Sequence, residues 1–251
     1  MRVVGIMAAH QRPEITFETL VMLRERQTHP FAEIIVMGGP SEKACVMRAG
    51  CEFLQVPNRP LGRKYQCGLF WSRMYDPDAV MVLGSDTWLS PEWTAAVVRH
   101  MAHGADCCGK LDWHTCRAQP DQPVEILHVG YDPVLRNEPV GGGRTYSRRL
   151  LDRLDWDLFP IHADSNLDFL TLGQVHSVGV QAMIMTDPDV TVMGVKGPWP
   201  TLNRFEKLKN SRVLRHLDAI SSPEAWLDTH FPGGRAALAR AVPGVRIHHE
   251  M

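Results

Sequence analysis

Three short apolar runs, each separated from the next by one helix-sized interval, constrain this chain more than any other feature. Val3-Val4-Gly5-Ile6-Met7-Ala8-Ala9, Glu33-Ile34-Ile35-Val36-Met37 and Cys51-Glu52-Phe53-Leu54-Gln55-Val56 read as strands. A continuous apolar run marks a strand covered on both faces. Strands alternating with helices at this spacing predict an α/β protein with a mainly parallel, doubly wound sheet. Pro13 suits the first turn of a helix running to about Arg26. Ser41 is the expected cap of a second helix, and Gly50 its stop.

A fourth run, Ala79-Val80-Met81-Val82-Leu83, ends in Gly84-Ser85-Asp86, and a helix is expected from Pro91 to about His103. In open α/β sheets ligands collect at the carboxyl ends of strands. Asp86 stands at such an end, free either to meet a metal ion or phosphate or simply to shape the turn. Ahead of it, Pro57-Asn58-Arg59-Pro60-Leu61-Gly62-Arg63-Lys64 leads into a helix reaching about Met74. Cations at a helix start oppose the helix dipole, which points to an anionic ligand for Arg63 or Lys64, with a solvated basic residue as the alternative.

The second half is less regular. Strands are expected at 106–111, 124–129, 181–185 and 190–193, with irregular chain over much of 112–139. Gly141-Gly142-Gly143 precedes a helix starting near Arg148 and is either a close-approach loop or a hinge. Ser165 and Asp168 fit a helix capping box, and Asp164 and Asp168 would share a face if both were helical. Lys196 lies in a Gly-Pro-rich loop, followed by basic residues Arg204, Lys207, Lys209, Arg212 and Arg215. Residues 1–200 are read as the main α/β domain, in two parts, 1–112 and 113–200. Residues 201–251 are read as a helical C-terminal extension.

A formal charge of −1 argues against coating nucleic acid by bulk electrostatics. No run approaches the roughly 18–20 apolar residues of a membrane span, and no signal peptide is apparent. A cytoplasmic location is expected. The six cysteines form no CxxC pair and read as reduced, small apolar residues. Cys107 and Cys108, adjacent in a strand, should face opposite sides.

From residue 3 to about 168, with a weaker match at 194–199, the chain resembles the GT-A glycosyltransferases, specifically their family-2-like group. The resemblance, which makes 1–200 a catalytic domain with 1–112 its donor-binding half and 113–200 its acceptor-side half, rests on His10-Gln11-Arg12-Pro13 after the first strand, Asn58-Arg59-Pro60-Leu61-Gly62-Arg63-Lys64-Tyr65-Gln66-Cys67-Gly68, Leu83-Gly84-Ser85-Asp86 in place of the DxD signature, and Asp164 or Asp168 after the glycine loop. It implies a nucleotide-sugar donor, a UDP-sugar first, held by Ala8, His10, Arg12, Gly62, Lys64, Ser85, Asp86 and Lys196. It also implies Mn²⁺ or Mg²⁺ on Asp86. The chain departs from the family at Gly84, where the first acid stands, at Gly38 or Gly39, where an acid is common, at Gln66 and at Ala163.

The implied chemistry is hexosyl transfer with inversion: a metal ion or basic side chains meet charge on the departing diphosphate, and Asp164 or Asp168 takes the acceptor proton. Trp88, Trp93, Trp156 and Trp199 are candidates for stacking on a ring or for the core. The Pro-Leu-Gly-x-Lys and Gly-Ser-Asp arrangement resembles phage-type transferases. That makes a hydroxymethylated pyrimidine in DNA a candidate acceptor, approached by the basic segment and by Arg144, Arg148, Arg149 and Arg153. A glycan or small molecule is the alternative acceptor. A nucleotidyltransferase is a competing reading, disfavoured by the glycine-poor Ala8-Ala9-His10-Gln11-Arg12 turn, and a non-catalytic nucleotide-sugar-binding module is another.

Overall fold

The computed structural model describes residues 1–131, 138–199, 205–209 and 214–247, with the backbone alone at 207, 215 and 216. A seven-stranded sheet has the order β10-β6-β9-β4-β1-β2-β3. Its parallel half is β3 (Glu52–Gln55), β2 (Glu33–Gly38), β1 (Val3–Ala8) and β4 (Ala79–Gly84). β9 (Thr145–Ser147) inserts antiparallel between β4 and β6 (Cys107–Gly109), and β10 (Met183–Ile184) runs parallel to β6.

The continuous apolar runs are explained by helices on both faces. Val3, Met7, Ile34 and Val36 point to one core with Leu20 and Leu23 of α1 (Pro13–Glu25), Val46 of α2 (Pro40–Arg48) and Val97 of α4 (Trp93–Ala102). Their neighbours Val4, Ile6, Ile35 and Met37 point to the other. There they meet Leu69 of α3 (Leu61–Ser72), Leu150 and Leu151 of α5 (Arg148–Arg153), and Leu172 of α6 (Leu167–Ser177). Cys107 and Cys108 divide between the two cores as alternation requires, and all six cysteines are free thiols.

A second, five-stranded sheet of order β12-β8-β7-β11-β5 is not expected from the sequence, although strands near 124–129 and 190–193 are. β5 (Thr87–Leu89), β7 (Asp112–Arg117) and the sheet-one strand β9 lie where turns or irregular chain were read. β7 was obscured because Asp112, His114 and Arg117 interrupt its apolar pattern, yet it pairs with β8 (Glu125–Tyr131) over six positions. β11 (Val192–Lys196) carries Lys196 as a strand residue, not a loop residue.

The C-terminal segment is not purely helical. α7 (Phe205–Lys209), α8 (Pro223–His230) and α9 (Gly234–Ala241) are joined there by β12 (Leu214–Ala219), which pairs antiparallel with β8. α9 sits on α1, where Arg240 makes a bidentate pair with Glu18 at 2.8 and 2.9 Å. Ser41 is not a cap: α2 begins at Pro40 after Gly39, and Ser41 Oγ donates to Glu42. The capping box of Ser165 and Asp168 is also not formed, because Asn166, in a left-handed conformation, stands at the N-cap of α6. Among the described residues no helix is long and apolar enough to cross a membrane.

Candidate active site

The carboxyl ends of β1 and β4 open into a cavity of about 460 Å³ lined by His10, Arg12, Asn58, Lys64, Asp86 and Lys196, among others. The turn from β1 to α1 brings in the first two. Gln11 takes a positive φ of 53°, and the buried Glu42 accepts from its amide at 2.5 Å and from that of Gly39 at 3.0 Å. The turn is thereby tied to the start of α2, leaving Arg12 to reach across the sheet end.

Arg12 Nη1 lies 3.1 Å from Asp86 Oδ2, and Lys196 Nζ lies 2.8 Å from the same oxygen. The second sheet makes the Lys196 contact possible. β11 runs antiparallel to β5 with Gly194 opposite Thr87, and the Val195 amide donates to the Asp86 carbonyl at 2.8 Å. The next residue therefore reaches back over the β4–β5 turn. Burial alone would raise the Asp86 carboxyl, but Lys196 and Arg12 outweigh it and hold the group below the usual carboxylate range.

Lys64 is 1% exposed and sits one turn into α3, its Nζ donating to the Ala9 carbonyl at 2.6 Å and to Asn58 Oδ1 at 3.2 Å. No carboxylate pairs with it among the described residues. Burial pulls its pKa from 10.5 down to about 8, with Glu42 opposing and Arg12 reinforcing the shift. Burial, with Lys64 next, also lowers His10.

Two further cavities adjoin this one. His10 and Asn58 are shared with a cavity of about 480 Å³ that also touches Gly39, Ser41 and Gln55, beyond the ends of β2 and β3. On the other side, Leu61, Tyr65 and Gly84 are shared with a cavity of about 600 Å³ containing Trp113, Tyr131, Gly141, Tyr146, Phe159 and Asp168. Tyr65 stands between them, its hydroxyl donating to Leu83 O at 3.0 Å. Burial raises its phenol, and the charges of Asp168 and Asp86 add to the rise.

The two candidate bases part company. Asp164 faces the first cavity, but its Oδ1 accepts the amide of Leu61 at 3.0 Å, supplying from a distant loop the cap that Pro60 cannot give α3. Its Oδ2 lies 3.8 Å from Arg59 Nη1. Asp168 faces the third cavity. Its carboxylate has no hydrogen-bond partner among the described residues and lies so close to Gly141 that a Cβ there would fall 2.0 Å from Oδ1. Buried Arg144 fixes this arrangement by donating to Asp168 O at 2.7 Å, to Thr171 Oγ1 at 3.1 Å and to Pro139 O.

Several expected positions lie elsewhere. Gly62 is not in the cavity wall; its amide donates to Ala163 O at 2.8 Å, a packing contact with the loop before α6. Ser85 is fully buried and outside the cavity wall, whereas Ala8 lines it. Trp88, Trp93 and Trp156 are core residues. Arg144 is buried, Arg148 pairs with Asp76, Arg149 with Asp106 at 2.8 Å, and Arg153 donates to Val178 O, so each arginine has a partner within the protein. In the basic segment, Lys209 pairs with Glu125 at 3.0 Å, Arg204 and Arg212 lie outside the described residues, and the side chains of Lys207 and Arg215 are not described. Sequence reasoning missed Asn58 and Tyr65 as wall residues, though both flank Lys64 in the same motif, and missed Trp113 because its strand was unrecognised.

A divalent cation does not fit the residues present. Asp86 carries two cations on one oxygen, the cavity's other carboxylate, Asp164, caps α3, and the described residues contain no cluster of three His, Cys, Asp or Glu suited to a metal. An acid at 84 would have to displace the Thr87 hydroxyl, since a Cβ there would lie 2.5 Å from Thr87 Oγ1.

No protein-family model matches the sequence, and comparison with curated proteins gives no match. Solved structures do match. Residues 1–349 of S. aureus TarS superpose with a TM-score of 0.54 at 15% identity, covering 78% of this chain and 60% of that one. The chain has a GT-A fold. TarS 1–349 in complex with UDP-GlcNAc gives 0.56 at 14% identity, over 91% of this chain and 64% of that one. A mycobacterial protein gives 0.51 at 16% identity, over 82% and 69%. The chain thus spans somewhat under two thirds of the TarS fragment it matches.

Proposed function

We propose that this GT-A chain is an inverting glycosyltransferase that moves a hexose from a nucleotide-sugar, a UDP-sugar first, to an acceptor hydroxyl. The observation that carries this reading is the continuity of three cavities along the carboxyl edge of the sheet, cationic in the middle and carrying an uncommitted carboxylate beyond. The nucleobase is assigned to the cavity at His10, Gly39 and Gln55. The diphosphate is assigned to the central one, where Lys64, Arg12 and Lys196 are charge partners for it. The acceptor is assigned to the third, whose Trp113, Tyr131 and Phe159 suit a sugar ring or another flat, partly apolar body. Asp168 is the general base. The fold neighbour's complex with UDP-GlcNAc supports this donor class.

Acceptor identity is narrowed by what the arginines already do. Arg144, Arg148, Arg149 and Arg153 are committed to acceptors within the protein. A phosphate backbone would have to displace those contacts, so a glycan or small-molecule hydroxyl is favoured over a DNA base. Scanning nucleotide-sugars for thermal stabilisation tests the donor assignment. One base series should raise the melting temperature, and a flat response across all of them would overturn the reading.

Lys64 gives the site a pH signature. In the free protein its pKa lies near 8, and an adjacent diphosphate favours the charged form. Nucleoside diphosphate affinity should therefore hold below about pH 8 and weaken as pH rises through it, with proton uptake on binding. Titration calorimetry in buffers of differing ionisation enthalpy checks this, and Lys64→Met should flatten the profile. The linkage to folding has the opposite sign. Between pH 8 and 10.5 the unfolded chain holds the extra proton, so the ligand-free protein should gain stability as pH rises through that window.

A further inference from the structure

The pairing at Asp86 bears on how the leaving group is handled, given the transferase reading above. Asp86 Oδ2 is shared by Lys196 Nζ at 2.8 Å and Arg12 Nη1 at 3.1 Å, with side-chain exposures of 9%, 12% and 16% for Asp86, Lys196 and Arg12. Two positive charges already share one Asp86 oxygen, and a divalent cation brought to that carboxylate would be repelled by both. Asp164, the other carboxylate of the cavity, has one oxygen on the Leu61 amide and the other facing Arg59. The wall thus offers an anion several positive side chains, while Asp86 Oδ1 is the one oxygen of its two carboxylates left without a partner among the described residues, although hard cations such as Mg²⁺ and Mn²⁺ require oxygen donors.

We propose that Lys196 and Arg12 replace the divalent cation, meeting the charge on the departing diphosphate directly, with Asp86 as the positioning residue that holds both. In the step, the bond between the sugar's anomeric carbon and the β-phosphate oxygen breaks and its electron pair stays on that oxygen. The ammonium and guanidinium groups face the resulting charge. The acceptor oxygen forms the new bond to the anomeric carbon, and its proton passes to the Asp168 carboxylate. Asp86 touches neither reactant. Its carboxylate fixes the two cations before the donor arrives, so little reorganisation is required as charge develops.

The test is calorimetric binding of UDP, GDP, ADP, CDP and dTDP to the full chain, in EDTA and in Mn²⁺. The diphosphate that binds should do so in EDTA, with affinity changed by less than about twofold on adding Mn²⁺. Lys196→Ala should weaken it by about tenfold or more in either condition, as expected for loss of a charge-assisted hydrogen bond, while Lys196→Arg should retain most of it. Binding that requires Mn²⁺, or tightens by about tenfold with it, overturns the proposal and leaves the transferase reading intact. Failure of every diphosphate to bind in both conditions overturns the two together. The wild-type comparison decides the matter even if Lys196→Ala does not fold.

Discussion

Asp168→Asn is expected to lower the rate of glycosyl transfer by about 10²–10⁴-fold, the range ascribed to a positioned general base, while donor affinity and thermal stability stay close to wild type. The substitution keeps the shape against Gly141 and leaves the main-chain carbonyl that Arg144 and Thr171 engage. It removes the negative charge and with it the capacity to accept a proton. Asp164→Ala should give the reverse pattern. Its carboxylate caps α3 through the Leu61 amide, so its loss should cost about 0.5–2 kcal/mol of stability, the range for a lost helix cap. The chemical step should survive. Single-turnover rates and melting curves on the two variants separate the roles. A collapse of the rate in Asp164→Ala with Asp168→Asn active would move the base to Asp164.

The second large effect is expected at Asp86. Asp86→Ala leaves Lys196 and Arg12 facing each other with no anion between them, in a largely buried part of the cavity wall. Removing one member of a buried charge cluster is strongly destabilising. Because the cavity lets some water reach these groups, a loss on the order of 2–4 kcal/mol is expected. Added nucleoside diphosphate should recover part of it by supplying the missing negative charge. The acid limb of the stability curve should change as well. The folded-state pKa of Asp86 is depressed, so its stabilising contribution is complete above the unfolded value near 4 and is lost as pH falls through the folded one. The variant should lack that acid-dependent part of the curve. Denaturant titrations between pH 3 and 7 would measure both effects. Stability equal to wild type at pH 7 would show that Asp86 does not hold the two cations.

What was legible in the sequence was governed by periodicity. β1, β2, β3 and β4 are apolar throughout because helices cover both faces, and that pattern survives without any knowledge of partners. Asp86 and Lys64 were visible for a related reason: each is an ionisable residue placed where the local element has no use for its charge. β7 was not legible, since its Asp112 meets His128 only once β8 is laid beside it. The same limit hid the contact of Lys196 with Asp86, a product of register between β11 and β5 across more than a hundred residues. The choice between Asp164 and Asp168 likewise depended on which carboxylate the start of α3 consumes, and that pairing is set by tertiary structure. The metal expectation came from resemblance, whereas the two cations gathered on one Asp86 oxygen became visible only in the tertiary structure.

Release of nucleoside diphosphate from a panel of nucleotide-sugars, followed in EDTA, tests the central claim most directly. One base series should be turned over, slowly by hydrolysis and faster with a suitable acceptor hydroxyl, and the activity should be lost in Asp168→Asn. No release from any donor, with or without Mn²⁺ and with the protein folded, would contradict the account.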